Sequence, residues 1–203
     1  MSHILHLDSS PRGSRSTSRA LTKEFVTSWL QRHPGDRVTY RDVGQYPVSP
    51  IDEAWIAASF SKSEDLAPNL IDALRISDEL IDELWVADRY VFGVPMYNFS
   101  VPANFKAYID QIVRVNRTFT QDWRGLVTNK KILIITTRGG SYSNDASSKQ
   151  LDFQEPYLRT VFGFIGVTDI TFIHAENLTM GDEARARSLT TAQTAIQSLT
   201  ATW

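Results

Sequence analysis

"VFGVPMYNFSVPANFKAYIDQIVR", Val91 to Arg114, joins two periodicities across a proline-braced corner. Val91 to Val94 is an apolar run of the buried-strand kind. From Pro102 the apolar residues Phe105, Tyr108, Ile109, Ile112 and Val113 recur at helical spacing. Between them, Pro95 and Pro102 bracket Met96-Tyr97-Asn98-Phe99, which carry sulfur, phenol, amide and phenyl groups at a tight turn. A strand that turns directly into a helix is half of a βαβ unit, so the flanking sequence decides whether the unit repeats.

It repeats from end to end. Ile4 to Leu7 reads as a first buried strand, followed by a Ser- and Arg-rich loop and a helix over Thr17 to His33. Arg37 to Arg41 alternates and reads as a second strand near an edge. Residues 43 to 64 contain Pro47 and Pro50, with a short helix expected over Glu53 to Ala58. A helix over Pro68 to Leu84 precedes the third strand, Arg89 to Val94, and a crossover helix follows over Pro102 to Val115. Lys131 to Thr137 is the clearest strand and runs into Arg138-Gly139-Gly140. A helix over Phe153 to Ile165, a fifth strand over Ile170 to Ile173 and a helix over Asp182 to Leu199 complete the pattern. Alternating strands and helices predict an α/β fold: a five-stranded parallel sheet with helices on both faces, a doubly wound three-layer sandwich. No repeat or linker divides residues 1 to 203, so one domain is expected.

Lys plus Arg total 21 against 23 Asp plus Glu, so no basic field is present to attract nucleic acid. The apolar runs are too short for a membrane span. The first eight residues carry no export signal and the chain has no cysteine, which agrees with a cytoplasmic protein without disulfides. His3, His6, His33 and His174 lack ligand-like spacing, and no metal is expected.

In such a sheet, ligands bind beyond the carboxyl ends of the strands. Three loops there have unusual composition. Ser9 to Ser18 holds six hydroxyl residues in ten, immediately before a helix whose free amides suit a phosphate. It has neither GxGxxG nor GxxxxGK[ST] spacing, which speaks against a dinucleotide fingerprint or a P-loop. Arg138 to Tyr142 places two glycines after a buried strand, where backbone can approach a flat ligand. Met96 to Phe99 supplies groups that suit the face and edge of a planar heterocycle. A phosphate at one end and a planar ring at the other describe flavin mononucleotide (FMN).

At these residues the chain resembles the FMN-dependent NADH azoreductases, also described as FMN-dependent NADH:quinone oxidoreductases. The resemblance is carried by Ser9-Ser10 with Ser16-Thr17-Ser18, by "PMYNFSVPANFKAYID", by "TTRGG" and by "GFIGVTDI" from Gly163. It implies a flavodoxin-like fold of strand order 2-1-3-4-5. It also implies bound FMN, with electrons passing from NADH or NADPH to quinones and azo compounds by a ping-pong mechanism. By position, Ser10, Ser16, Thr17 and Ser18 would bind the ribityl-phosphate, and Met96, Tyr97, Asn98 and Phe99 the isoalloxazine. Arg138, Gly139, Gly140 and Ser141 would line the pyrimidine side. The flavin carries the chemistry, so no catalytic side chain is assigned; Asn98, Gly139 and Gly140 would give electrostatic support. Phe119, Tyr142 and Phe162 would border the substrate pocket. The family's two-fold contact, with the aromatics Phe119, Trp123, Phe162 and Phe164, implies a homodimer.

Two rival classes stand beside this one. An electron-carrier flavodoxin would be strongly acidic, unlike a chain of net charge −2. A hydrolase using Ser9 or Ser10 would need a histidine base in reach, and His6 is the nearby candidate.

Overall fold

A computed structural model describes residues 1–61, 68–143 and 146–203. Its five strands are β1 (His3–Asp8), β2 (Arg37–Asp42), β3 (Arg89–Pro95), β4 (Lys131–Thr137) and β5 (Asp169–Ala175). All pair in parallel, in the order β2-β1-β3-β4-β5. The helices are α1 (Thr17–Arg32), α2 (Glu53–Phe60), α3 (Pro68–Val86), α4 (Ala103–Ile112), α5 (Ala146–Lys149), α6 (Gln154–Ile165) and α7 (Asp182–Leu199).

Alternation along each central strand divides the core in two. Ile4, Val91, Leu133, Ile135 and Ile173 face α1 and α7, where they meet Phe25, Trp29, Ala192 and Ile196. Leu5, Leu7, Tyr90, Phe92, Val94, Ile132 and Ile134 face α3, α4 and α6. Both sets are buried, which is why the strands read as nearly continuous apolar runs. Each such Leu, Ile or Phe contributes roughly 1.5–3 kcal/mol by burial. None of the β2 residues is buried, as its edge position requires. Among the described residues, no helix is long and apolar enough to cross a membrane.

The differences from the sequence reading lie at element ends. α4 stops at Ile112 rather than Val115 because Thr118 Oγ1 donates to the Ile112 carbonyl at 2.7 Å, and Arg114 N donates to the same hydroxyl at 3.0 Å. α2 runs two residues beyond Ala58, to Phe60, and residues 62–64 of the awkward 43–64 segment lie outside the described residues. α5 and a short 3-10 turn at Gly13–Arg15 have no strong periodic signal and were not anticipated. α6 ends as "GFIGV" suggests: Gly166 takes φ 112°, and Val167 N closes onto the Phe162 carbonyl at 2.9 Å.

Candidate functional site

The carboxyl ends of β1, β3 and β4 bring the three loops together around a cleft of ≈ 260 Å³. Ser10, Ser16, Thr17, Met96, Tyr97, Arg138 and Gly139 line it. Ser18 does not: it is fully buried, with its hydroxyl 3.1 Å from that of Ser16. Asn98, Phe99, Gly140 and Ser141 lie outside the lining, in the same two loops.

At the first loop, Ser16 caps α1. Among the described residues, the Thr17 and Ser18 amides have no acceptor in the chain, as expected for a first helical turn. The loop is pinned from behind by Arg19, whose Nε and Nη2 both donate to the Ser10 carbonyl, at 3.1 and 2.7 Å. Arg19 Nη1 donates to Tyr40 Oη at 2.8 Å and to Asp42 Oδ2 at 2.7 Å. Tyr40 donates in turn to Asp8 at 3.0 Å, and so does Thr22 at 2.9 Å. The bond to Asp42 pushes the Arg19 pKa up, and burial followed by the Asp8 charge pushes the Tyr40 phenol up. Gly44 permits this: a Cβ there would lie 2.2 Å from the Ser10 carbonyl oxygen. Asn104, inside the opening stretch, ties the loops together by donating to the carbonyls of Ser9 (3.0 Å) and Val43 (2.9 Å).

The middle loop is a two-residue reversal. Tyr97 and Ser100 exchange backbone bonds at 3.0 and 3.1 Å, leaving Asn98 and Phe99 at φ 49° and 70°. Asn tolerates that region and Phe does not, so Phe99 carries about 1–2 kcal/mol of strain. The Phe99 carbonyl accepts from Phe153 N at 3.1 Å, which ties the tip to the start of α6.

The third loop uses its carbonyls and spares the amides of its two glycines. Those of Arg138, Gly139 and Gly140 accept from Leu178, Thr179 and Asn177 at 3.1, 3.1 and 3.0 Å. Among the described residues, the amides of Gly139 and Gly140 have no acceptor in the chain. Glu176 gathers the rest, accepting from Tyr142 N at 2.9 Å, Ser143 Oγ at 2.6 Å and Ser141 Oγ at 3.2 Å. Burial opposes its ionisation, but these bonds and the adjacent Arg138 hold its carboxyl below the usual glutamate range. Arg138 is 2% exposed; its Nη1 meets Asp152 at 2.9 Å and Glu176 at 3.2 Å. Among the described residues, its Nη2 is buried without a partner.

One expectation needs correction. Phe162 does not border a pocket: it is fully buried and packs edge-on against Phe92, because Leu158, Phe162 and Ile165 form the inward face of α6. Phe119, expected at the substrate pocket, lines a second cavity of ≈ 800 Å³, with Phe60, Trp123 and Phe164. Tyr142 stands edge-on to Phe99, ring centres 6.4 Å apart. Of the two serines the hydrolase rival could use, Ser9 is spent on structure: its Oγ is buried and donates to the Gly93 carbonyl at 2.9 Å, whereas Ser10 lines the cleft.

Several site residues escaped sequence reading. Leu178, Thr179 and Arg185 also line the cleft, and Arg185 Nη2 donates to Thr17 Oγ1 at 3.1 Å. No carboxylate pairs with Arg12 or Arg185 among the described residues, so two guanidinium groups with uncompensated charge line the cleft beside the serine loop. That supply of positive charge beside free helix amides fits a phosphate dianion. The orphaned Arg138 Nη2 and the spare glycine amides fit the oxygens of a planar ring.

The comparisons agree with that fit. The family model described as "Flavodoxin-like fold" matches residues 2–199. The chain is 61% identical to FMN-dependent NADH:quinone oxidoreductase 1 of Trichormus variabilis, over 98% of this chain and 96% of that protein. It is 59% identical to FMN-dependent NADH:quinone oxidoreductase of Nostoc punctiforme, over the full length of both. Its fold matches a crystal structure of azoreductase from Bacillus anthracis with a TM-score of 0.90 at 24% identity, covering both chains completely. An FMN-dependent NADH-azoreductase from the same organism, solved in complex with FMN, matches at a TM-score of 0.85 and 22% identity, over 98% of this chain and 99% of that one. Matched by the family model over nearly its whole length, and 61% and 59% identical to the two quinone oxidoreductases, the chain belongs to the flavodoxin-like family of FMN-dependent NADH:quinone oxidoreductases.

Proposed function

We propose that the protein is an FMN-dependent oxidoreductase that takes electrons from NADH or NADPH and delivers them, by a ping-pong mechanism, to quinones and azo compounds. The observation that carries this reading is one cleft bounded by two loops with spare amides and flanking guanidinium groups. When bound, FMN would supply the two-electron redox chemistry that links the nicotinamide donor to the acceptor. The chain's own residues bind and orient. Ser10, Ser16 and Thr17, with Arg12 and Arg185, hold the phosphate, and Ser18 contributes its amide. Met96, Tyr97, Asn98 and Phe99 flank the ring. The amides of Gly139, Gly140 and Ser141, and Arg138 Nη2, stand at the pyrimidine side, where negative charge develops on reduction. Phe99 and Tyr142 exclude water from the open face.

The working unit in this reading is a cytoplasmic homodimer of single-domain chains. The cavity around Phe119 and Phe164, with Phe60 and Trp123 79% and 76% exposed, supplies apolar surface for a second copy and for the acceptor. Steady-state NADH oxidation with menadione tests the activity: it should require one FMN per chain, and a rate indifferent to FMN would refute the reading. Sedimentation should give twice the chain mass of 23.0 kDa.

A further inference from the structure

Behind the glycine loop lies a buried charge cluster that the redox chemistry has no direct use for. One guanidinium, Arg138, faces two carboxylates, Asp152 and Glu176, at 2.9 and 3.2 Å. The Arg138 side chain is 1% exposed, that of Asp152 9% and that of Glu176 10%. A single positive charge would suffice to favour a reduced flavin, and burying two carboxylates around it is costly. The cluster therefore carries one negative charge in excess, in a place where solvent screens it weakly. Neutral groups complete the shell: Gln154 Oε1 accepts from Arg138 Nε at 3.3 Å, and Gln154 Nε2 donates to the Val94 carbonyl at 3.1 Å. Arg138 itself lines the cleft, so the cluster and the ligand share a wall.

We infer that Asp152 and Glu176 set the electron affinity of the bound flavin, holding its midpoint potential down by offsetting Arg138. Resting on the FMN reading above, the inference assigns the two carboxylates as positioning and tuning residues that do not touch the cofactor. Glu176 does two things, since it also anchors Ser141, Tyr142 and Ser143. Asp152 does one: beyond Arg138, its carboxylate bonds only the Gln154 and Glu155 amides, at 2.9 and 3.0 Å, and holds no atom of residues 139–143 among the described contacts. The pair therefore separates charge from loop geometry. Loosening the loop would weaken binding of both redox forms and remove amides that favour the reduced one. Removing a carboxylate's charge favours the reduced form.

The test is a redox titration of the FMN-loaded parent, Asp152→Asn and Glu176→Gln, with FMN affinity measured in both redox states. Both variants should raise the two-electron midpoint potential of bound FMN. Each should tighten reduced over oxidised FMN on the order of tenfold, the effect of one charge about 10 Å away at an effective dielectric near 20. Asp152→Asn carries the test alone should Glu176→Gln fail to fold. An unmoved or lowered potential in Asp152→Asn, or in a folded Glu176→Gln, overturns the inference. FMN titration of the parent separates the two levels: a parent that binds no FMN removes the reading beneath, whereas bound FMN with unshifted potentials removes the tuning role alone.

Discussion

Both ends of the cleft are backed by an arginine, and the two arginines are used in opposite ways. Arg19 reaches the carbonyl of Ser10 and so shapes the serine loop directly. Arg138 sits inside the glycine loop and spends its guanidinium on distant carboxylates, while Glu176 does the shaping. The serine end is positive, with the Arg12 and Arg185 guanidinium groups paired with no carboxylate among the described residues. The glycine end is negative in its wall, where Asp152 and Glu176 outnumber Arg138. In the proposed reading, one end grips the cofactor and the other adjusts it.

The sharpest way to break that contrast is to remove charge from the gripping end. Arg185→Met should weaken FMN by about 2–3 kcal/mol, roughly 30- to 150-fold, the range for a charge-assisted bond to a phosphate. Riboflavin should be nearly indifferent, and calorimetry with the two ligands decides it. Arg19→Lys keeps the charge but not the forked donation to Ser10. FMN affinity should fall about tenfold, with riboflavin changing less, since Arg and Lys differ most at such sites. An equal loss for both ligands would reduce Arg19 to a general scaffold residue.

The middle loop tests whether the amide at Asn98 matters to the ring. Asn98 has φ 49°, so leucine would add backbone strain to any electrostatic effect; glycine removes the side chain without that strain. Asn98→Gly should weaken FMN by about 1 kcal/mol and lower its potential. An unchanged potential would leave Asn98 as a turn former.

The smallest effect concerns pH. Burial holds His6 below the ordinary histidine pKa, despite Asp8 nearby, so the unfolded chain binds the extra proton first. Its stabilising contribution is present above the unfolded pKa of about 6.5 and is lost as pH falls through the lower folded value. The Tm of His6→Gln should therefore fall less steeply between pH 7 and 5 than that of the parent. Parallel slopes would assign the acid sensitivity elsewhere, with His174, which burial and Arg138 also depress, next in line.

What could be read before the structure is what adjacent residues carry, at either end of the cleft. The sheet was legible because Ile132 and Ile134 alternate with Leu133 and Ile135 toward two buried faces, and that pattern is local. The serine loop and the glycine pair were legible because hydroxyls before a helix and glycines after a strand carry their meaning in adjacent residues. Glu176 and Arg185 were not, since each lies far along the chain from the loop it serves and sits in a segment of ordinary composition. Phe162 misled for a related reason: "VFGFIG" offers two phenylalanines two positions apart, and only the helix phase, anchored by Leu158, shows which one turns inward.

The central claim is that one cleft holds a phosphate at the start of α1 and a flat ring at the glycine loop. Calorimetric titration of the purified protein, stripped of flavin, with FMN and with riboflavin tests it most directly. The account predicts one FMN per chain, bound at least about 100-fold more tightly than riboflavin, a difference of about 2.7 kcal/mol. Equal affinities for the two would contradict it.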